Sequence, residues 1–127
     1  MPVEIPVRVV LCLSGHDPSG GAGLQADIEA IRAQGLHPAT VVTALTVQDS
    51  RNAYAVDAID SRAIIEQAEL VLEDMPVAAI KLGLLGSAEN AEAIAALLLR
   101  HAGIPVVLDP VLRAGGGAAL GDQALID

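Results

Sequence analysis

Between Ser14 and Asp27 the chain reads SGHDPSGGAGLQAD, with Gly15, Gly20, Gly21, Gly23 and Pro18 crowded into one junction. Glycine admits positive φ and lets backbone approach a ligand closely. At the start of a helix such a loop exposes N–H groups and the positive end of the helix dipole. That makes a seat for a small polar or anionic ligand. A tight strand-to-helix turn is the alternative, although such connections usually take about 2–6 residues and need fewer glycines. Two nucleotide-binding templates do not fit. There is no G-x-G-x-x-G, and although Gly15 and Gly20 have P-loop spacing, Gly21-Ala22 stands where Lys-Ser or Lys-Thr is needed.

The elements around this loop alternate in type. Val7 to Leu13 is apolar apart from Arg8, as expected of a strand covered on both faces. A helix is predicted from about Gly23 to Gln34, with Leu24, Ile28 and Ile31 inward and Gly35 as its stop. Thr40 to Val47 is a second strand, rich in β-branched residues and ended by Gln48, Asp49 and Ser50. Asn52 to Asp60 is ambiguous, with AYAVDAI suiting a short strand in a flap or edge position. Ser61 is placed to cap a helix whose inner face is Ile64, Ile65, Ala68, Val71, Leu72 and Met75, with Pro76 as its stop. Val77 to Leu82 is a third core strand. Ser87 caps a further helix, which Gly103 terminates. Pro105 to Leu108 is a fourth core strand, followed by a glycine loop at Gly115 to Gly117. Gly121 to Asp127 reads as the start of a helix cut short.

This order predicts an α/β fold with a mainly parallel sheet and helices on both faces. In such sheets ligands bind beyond the carboxyl ends of the strands. Four polar or glycine-containing segments fall there: Gly15 to Gly21, Gln48 to Ser50, Gly83 to Gly86, and Asp109 to Gly117.

Composition removes several functions. Acidic residues outnumber basic ones 16 to 7, for a formal charge of −9, and the chain has one Tyr and no Phe or Trp. A basic groove lined with stacking aromatics is therefore absent, and nucleic acid is not the expected partner. The single cysteine, Cys12, lies in an apolar run and reads as a small buried hydrophobe. His16, His37 and His101 show no metal-ligand pattern and read as loop or surface residues. No apolar run approaches the ~20 residues that span a bilayer. With Glu4 and two prolines ahead of a short apolar run, no signal peptide stands out, and the expected compartment is the cytoplasm.

Four blocks in order carry a family resemblance: DPSGGAGLQAD at Asp17 to Asp27, TALTVQ at Thr43 to Gln48, KLGLL at Lys81 to Leu85, and VLDPV at Val107 to Val111. Together they resemble the hydroxymethylpyrimidine/phosphomethylpyrimidine kinases of the ribokinase-like superfamily. Pyridoxal kinases, from the same superfamily, match the first block less well. The resemblance implies ATP-dependent phosphorylation of 4-amino-5-hydroxymethyl-2-methylpyrimidine and then of its monophosphate, in thiamine biosynthesis, with ATP and magnesium as cofactors. Phosphoryl transfer rests mostly on positioning and charge stabilisation.

By matching position, Gln48 hydrogen-bonds the pyrimidine, since a carboxamide offers donors and an acceptor to an aminopyrimidine edge. A strand-end amide bonded to nearby backbone is the alternative. Asp27 faces the polar substituents of the substrate, or is a first-turn acid favoured by the helix dipole. Gly15 and Ala22 line the floor. Thr46, Leu84 and Val111 supply walls, or pack in the core. Asp109 lies on the phosphate side and orients a magnesium-bound water, or is a turn aspartate before Pro110. Lys81 either keeps its head at the rim or belongs to the phosphate environment.

Two departures from the family pattern stand out. Gly115, Gly116 and Gly117 occupy positions where Lys-Ser-Gly is common, so a glycine nest has to replace a charge and a hydroxyl. Thr46 and Leu84 stand where Val and Met are common. The resemblance also implies that residues 1–127 are the N-terminal portion of a single ribokinase-like domain. None of them maps onto the family's catalytic position, which is expected beyond Asp127 together with most of the nucleotide site. The isolated chain is then expected to be inactive, and a hydrophobic sheet edge is expected to be left open. Three readings follow: a segment of such a kinase, a non-catalytic pyrimidine-binding or partner-binding half-domain, or a pyridoxal kinase. Superfamily relatives often dimerise, which leaves a homodimer open.

Overall fold

Alternating apolar side chains along Val9, Leu11 and Leu13, none more than 4% exposed, mark the centre of the molecule. They belong to β1 (Val9–His16), the middle strand of a five-stranded sheet ordered β3-β2-β1-β4-β5. The other strands are β2 (His37–Gln48), β3 (Ala53–Ala58), β4 (Val77–Leu82) and β5 (Val106–Leu108). Three helices connect them: α1 (Gly23–Ala33), α2 (Ser61–Asp74) and α3 (Ala88–Arg100). The computed structural model describes residues 7–109. The expectations for Val111, for the Gly115 to Gly117 loop and for a helix start from Gly121 to Asp127 lie outside the described residues.

Every pairing is parallel except β2 with β3, so the sheet is mixed, as an α/β fold with one antiparallel edge strand. The ambiguous segment after Asn52 is that edge strand. A tight turn makes it antiparallel. Asp49 Oδ1 accepts from the N–H groups of Arg51 and Asn52, and the Asp49 N–H donates to the Asn52 carbonyl.

The core is aliphatic, as a chain without Phe or Trp requires. Val9, Leu11, Leu13, Ala39, Val41, Ile80 and Leu82 of the sheet pack with Ile64 and Ala68 of α2 and Ile94 and Leu97 of α3. From β1 the chain crosses by α1 to β2 on one side, and later by α2 to β4 on the other. Right-handed crossovers in opposite directions place α1 on one face and α2 and α3 on the other. Beneath α1 the sheet presents the alternate residues of β1, among them the buried Cys12 and Ser14.

Several boundaries moved, for local reasons. β1 starts two residues later than the apolar run and continues to His16, because a bulge at Ser14/Gly15 keeps Gly15 and His16 paired with Ala44 and Leu45. β2 begins at His37 and includes Pro38. Because β3 pairs only with the far end of β2, the missing proline N–H faces no neighbouring strand there. Ile28 is an exposed residue of α1, not an inner one, and Leu24 is the helix's buried residue. Gly35 stops the helix at φ 76°, with its N–H on the Arg32 carbonyl, as expected.

Ser61 is not the cap of α2. Asp60 takes that role, accepting from the Arg62 N–H, while the Ser61 hydroxyl donates to Asn90 Oδ1. Ser87 does cap α3, accepting from the Asn90 N–H. Asn90 is 1% exposed, and its Nδ2 donates to the carbonyls of Leu85 at 2.9 Å, Ile59 at 3.0 Å and, more weakly, Thr43 at 3.4 Å. One amide thus ties β2, the loop before α2 and the loop before α3. Buried carbonyls that lose a donor are costly. Asn90→Ala is expected to lower unfolding free energy in urea by about 3 kcal/mol. Asn90→Asp is expected to cost at least as much, since a carboxylate would face three carbonyl oxygens. A loss below about 1 kcal/mol in both would show the network to be dispensable.

Candidate functional site

The sheet direction reverses at β1, so the loops after β1 and β4 leave toward opposite faces and open a crevice between them. Gly15 and Leu84 meet there: a Cβ on Gly15 would lie 3.0 Å from Leu84 Cδ2. Leu84 is buried with Ala44 and Ala53, with the half-buried Val56 packed against them, and its carbonyl accepts from the Thr43 hydroxyl. Gly23, at φ 64°, holds α1 against this corner, since a Cβ there would collide with the Gly15 carbonyl oxygen.

The glycine-rich loop is built differently from the expected open seat. Asp17, 4% exposed, turns its carboxylate into the loop. Oδ1 accepts from the Ser19 N–H at 2.8 Å and the Ser19 hydroxyl at 2.7 Å, and Oδ2 accepts from the Gly21 N–H at 3.1 Å. The Gly20 N–H donates to the Asp17 carbonyl. The loop's amides are therefore held by an internal anion rather than offered to a ligand. The first turn of α1 has no side-chain cap, because its N-cap residue, Ala22, has no side chain able to accept from the N–H groups there. The sequence holds the signal for this: an Asp two residues before Ser, in a turn with Pro and Gly, is the pattern of an Asx turn.

Ala22 and Gln48 line one depression of about 250 Å³, together with Asp17, Ser19, Gly21 and the β2–β3 turn from Asp49 to Asn52. Thr46 lies directly behind Gln48. Its hydroxyl donates to the His16 carbonyl at 2.6 Å, and Gln48 Nε2 donates to Thr46 Oγ1 at 2.6 Å. Gln48 borders the depression, and its nitrogen is satisfied locally by the Thr46 side chain rather than by backbone. A larger depression of about 430 Å³, lined by Val9, Arg32, Leu36, His37 and Met75 among others, sits at the amino ends of the strands. It is at the wrong edge for a ligand of an open α/β sheet.

Asp27 is not among the residues that line the Gln48 depression. It falls in the second turn of α1 rather than the first, because the helix starts at Gly23. Its carboxylate is held by Lys81 Nζ at 2.9 and 3.1 Å. Both side chains are largely withdrawn from solvent, at 13% and 19% exposed. Lys81 stands beside Cys12 in the sheet register. Burial, then the Asp27 charge, pushes the Cys12 thiol up to about 11 against the opposing pull of Lys81. Gly83 makes room for this group, since a Cβ would collide with Ser14 Oγ and lie 3.0 Å from Lys81 Nζ. The head of Lys81 is therefore under α1. Asp109 follows β5, exposed, with its N–H on the Leu82 carbonyl. Val111 lies outside the described residues.

A mixed, mostly parallel sheet with a glycine loop after its central strand and a carboxamide at the end of the next is the framework of a ribokinase-like kinase. The chain belongs to the phosphomethylpyrimidine kinase family, which matches it over residues 17–127. It is 39% identical over 121 residues to the thiamine biosynthesis bifunctional protein of Geobacter sulfurreducens, covering 95% of this chain and 25% of that one. It is 38% identical over 114 residues to the hydroxymethylpyrimidine/phosphomethylpyrimidine kinase of Haemophilus influenzae, covering 90% of this chain and 42% of that one. The crystal structure of phosphomethylpyrimidine kinase from Clostridium difficile 630 superposes with a TM-score of 0.82 at 34% identity, over 93% of this chain and 51% of that one. An ADP complex of Bacillus subtilis pyridoxal kinase superposes less well, with a TM-score of 0.72 at 30% identity, over 83% of this chain and 42% of that one. The chain spans about half the length, or less, of the relatives it matches.

Burial works against ionisation of Asp17, but the Ser19 hydroxyl and the N–H groups of Ser19, Ala22 and Gly21 outweigh it, and its carboxyl sits below the ordinary aspartate value. A depressed folded value means stability that is present above about pH 4 and lost as pH falls through the folded value. Urea titrations at stepped pH are expected to show this acid loss in the native chain. The Asp17→Asn variant is expected to be less stable at neutral pH and to lose less on acidification. Parallel curves for the two would remove Asp17 as the loop's organiser.

Proposed function

We propose that this chain supplies the substrate side of an ATP-dependent kinase acting on 4-amino-5-hydroxymethyl-2-methylpyrimidine and its monophosphate, in thiamine biosynthesis. Residues 1–127 are then the amino-terminal portion of a single ribokinase-like domain, in a cytoplasmic setting. The observation that carries this reading is the depression that joins Gln48 to Ala22 at the carboxyl edge of the sheet. A flat ring standing there meets a carboxamide at its edge, and the uncapped first turn of α1 below it suits a polar substituent. Gly15 lies on the floor of the adjoining crevice and Leu84 forms a wall beside it. Asp27, fixed by Lys81, presents a positioned carboxylate on the α1 side.

On the phosphate side the fitting residue is Asp109. No group of three or more His, Cys, Asp or Glu side chains is arranged to hold a metal among the described residues. A single exposed carboxylate suits magnesium, which keeps several waters and is otherwise held by substrate phosphates. Asp109 would hold that ion, and the ion would neutralise charge on the transferring phosphoryl group. No helix among the described residues is long and apolar enough to cross a membrane.

Calorimetry with the hydroxymethylpyrimidine, without ATP, tests the binding half of this proposal. Binding is expected, with Gln48→Ala weakening it about tenfold through the lost edge contact. Absence of binding, or equal binding by the variant, would overturn the assignment. Pyridoxal titrated in parallel separates the second reading, favoured by the structural likeness to pyridoxal kinase, because tighter binding of pyridoxal would replace the pyrimidine as substrate.

A further inference from the structure

We infer that Thr46 is a positioning residue that locks the Gln48 amide with its carbonyl toward the rim. The site is thereby set to accept from a ring edge bearing an exocyclic amino group. This inference rests on the pyrimidine reading above and goes beyond it, because it concerns which edge is selected and by what device.

The argument is one of hydrogen-bond direction. The His16 carbonyl can only accept, so the bond between it and Thr46 Oγ1 at 2.6 Å consumes the single hydroxyl proton of Thr46. Thr46 Oγ1 then has only lone pairs left for its second partner. The Gln48 atom 2.6 Å away must therefore be a donor, which fixes it as Nε2 and turns Oε1 the other way. The usual ambiguity between amide oxygen and nitrogen is removed by the chemistry of the chain itself. Thr46 is 9% exposed and sits in a strand, so its hydroxyl is not free to rotate to water. Gln48 is half-buried at the wall of the depression.

The amide thus keeps its carbonyl and one remaining N–H for a ligand. A ring edge with an amino donor beside a ring-nitrogen acceptor matches that pair. The oxo counterpart, with a carbonyl beside a ring N–H, presents the inverse pattern, and the lock prevents the amide from flipping to meet it. Sites built to hydrogen-bond a particular group reject its inverse because polar atoms are left facing like atoms.

The test uses the 127-residue chain, its Thr46→Val variant, which keeps shape and β-branching, and its Thr46→Ser variant, which keeps the hydroxyl. Two readouts are taken. In the first, side-chain amide spectra of ¹⁵N-labelled protein without ligand follow the Nε2 protons of Gln48. One proton is expected to be shifted and slow to exchange in the native chain and in Thr46→Ser, and to lose both properties in Thr46→Val. In the second, calorimetry compares 4-amino-5-hydroxymethyl-2-methylpyrimidine with its 4-oxo counterpart. The native chain and Thr46→Ser are expected to prefer the amino compound by about tenfold or more, and Thr46→Val by no more than about threefold. Spectra that are unchanged by Thr46→Val overturn the lock. Changed spectra with an unchanged preference overturn its role in selection. If neither pyrimidine binds the native chain, the substrate reading fails and the selection claim falls with it, while the spectra still decide the lock separately.

Discussion

Main-chain N–H groups and the Ser19 hydroxyl of the first loop end on the carboxylate of Asp17, and that one internal anion governs the rim of the molecule. A loop with this many glycines loses much conformational entropy on ordering. Charge-assisted hydrogen bonds offset that loss and leave the loop in one shape before any ligand arrives. The consequence runs outward. With Ser19 to Gly21 committed to Asp17, the N–H groups without a side-chain cap are those at the start of α1. The wall opposite them is Gln48, held by Thr46 against the end of β1.

The two faces of the sheet are stabilised by different physics. The α2–α3 face is a dry aliphatic core, pinned at one end by Asn90. The α1 face carries a withdrawn ion pair, Lys81 with Asp27, over Cys12 and Ser14. Pairs of this kind rarely add much net stability, since desolvation cancels much of the attraction. Their value lies in fixing where a charge stands. Here that is a carboxylate at a set height on α1, close to the crevice but not part of the Gln48 depression.

Much of this was legible beforehand, and the reasons differ from element to element. Val9 to Leu13, Val77 to Leu82 and the repeat from Ile64 to Met75 announced themselves, because burial on one or both faces dictates their apolar pattern. The loop's importance was visible in its glycines, yet its mechanism was not. Gly20 and Gly21 suggested exposed amides, whereas Asp17, only a few residues earlier, captures them through its main-chain carbonyl and its carboxylate respectively. Pairings across the sheet were hidden for a different reason. Lys81 and Asp27 are 54 residues apart, and Ser61 and Asn90 are 29 apart, so only the register of strands and the crossing of helices brings them together. Ser61 looked like a cap because Asp60 and Ser61 are both good caps, and the choice between them depends on that distant partner. The mixed character of the sheet turned on Asp49, whose side chain closes the turn that sends β3 back along β2.

Cys12 carries a practical consequence. It is the only thiol in the chain, wholly enclosed between the central strand and α1, and held as the unreactive neutral form by its surroundings. An alkylating or disulfide reagent can reach it only when α1 lifts from the sheet. The rate of its labelling therefore clocks the opening of the layer that carries Asp27, with no probe added and no other sulfhydryl to confuse the signal.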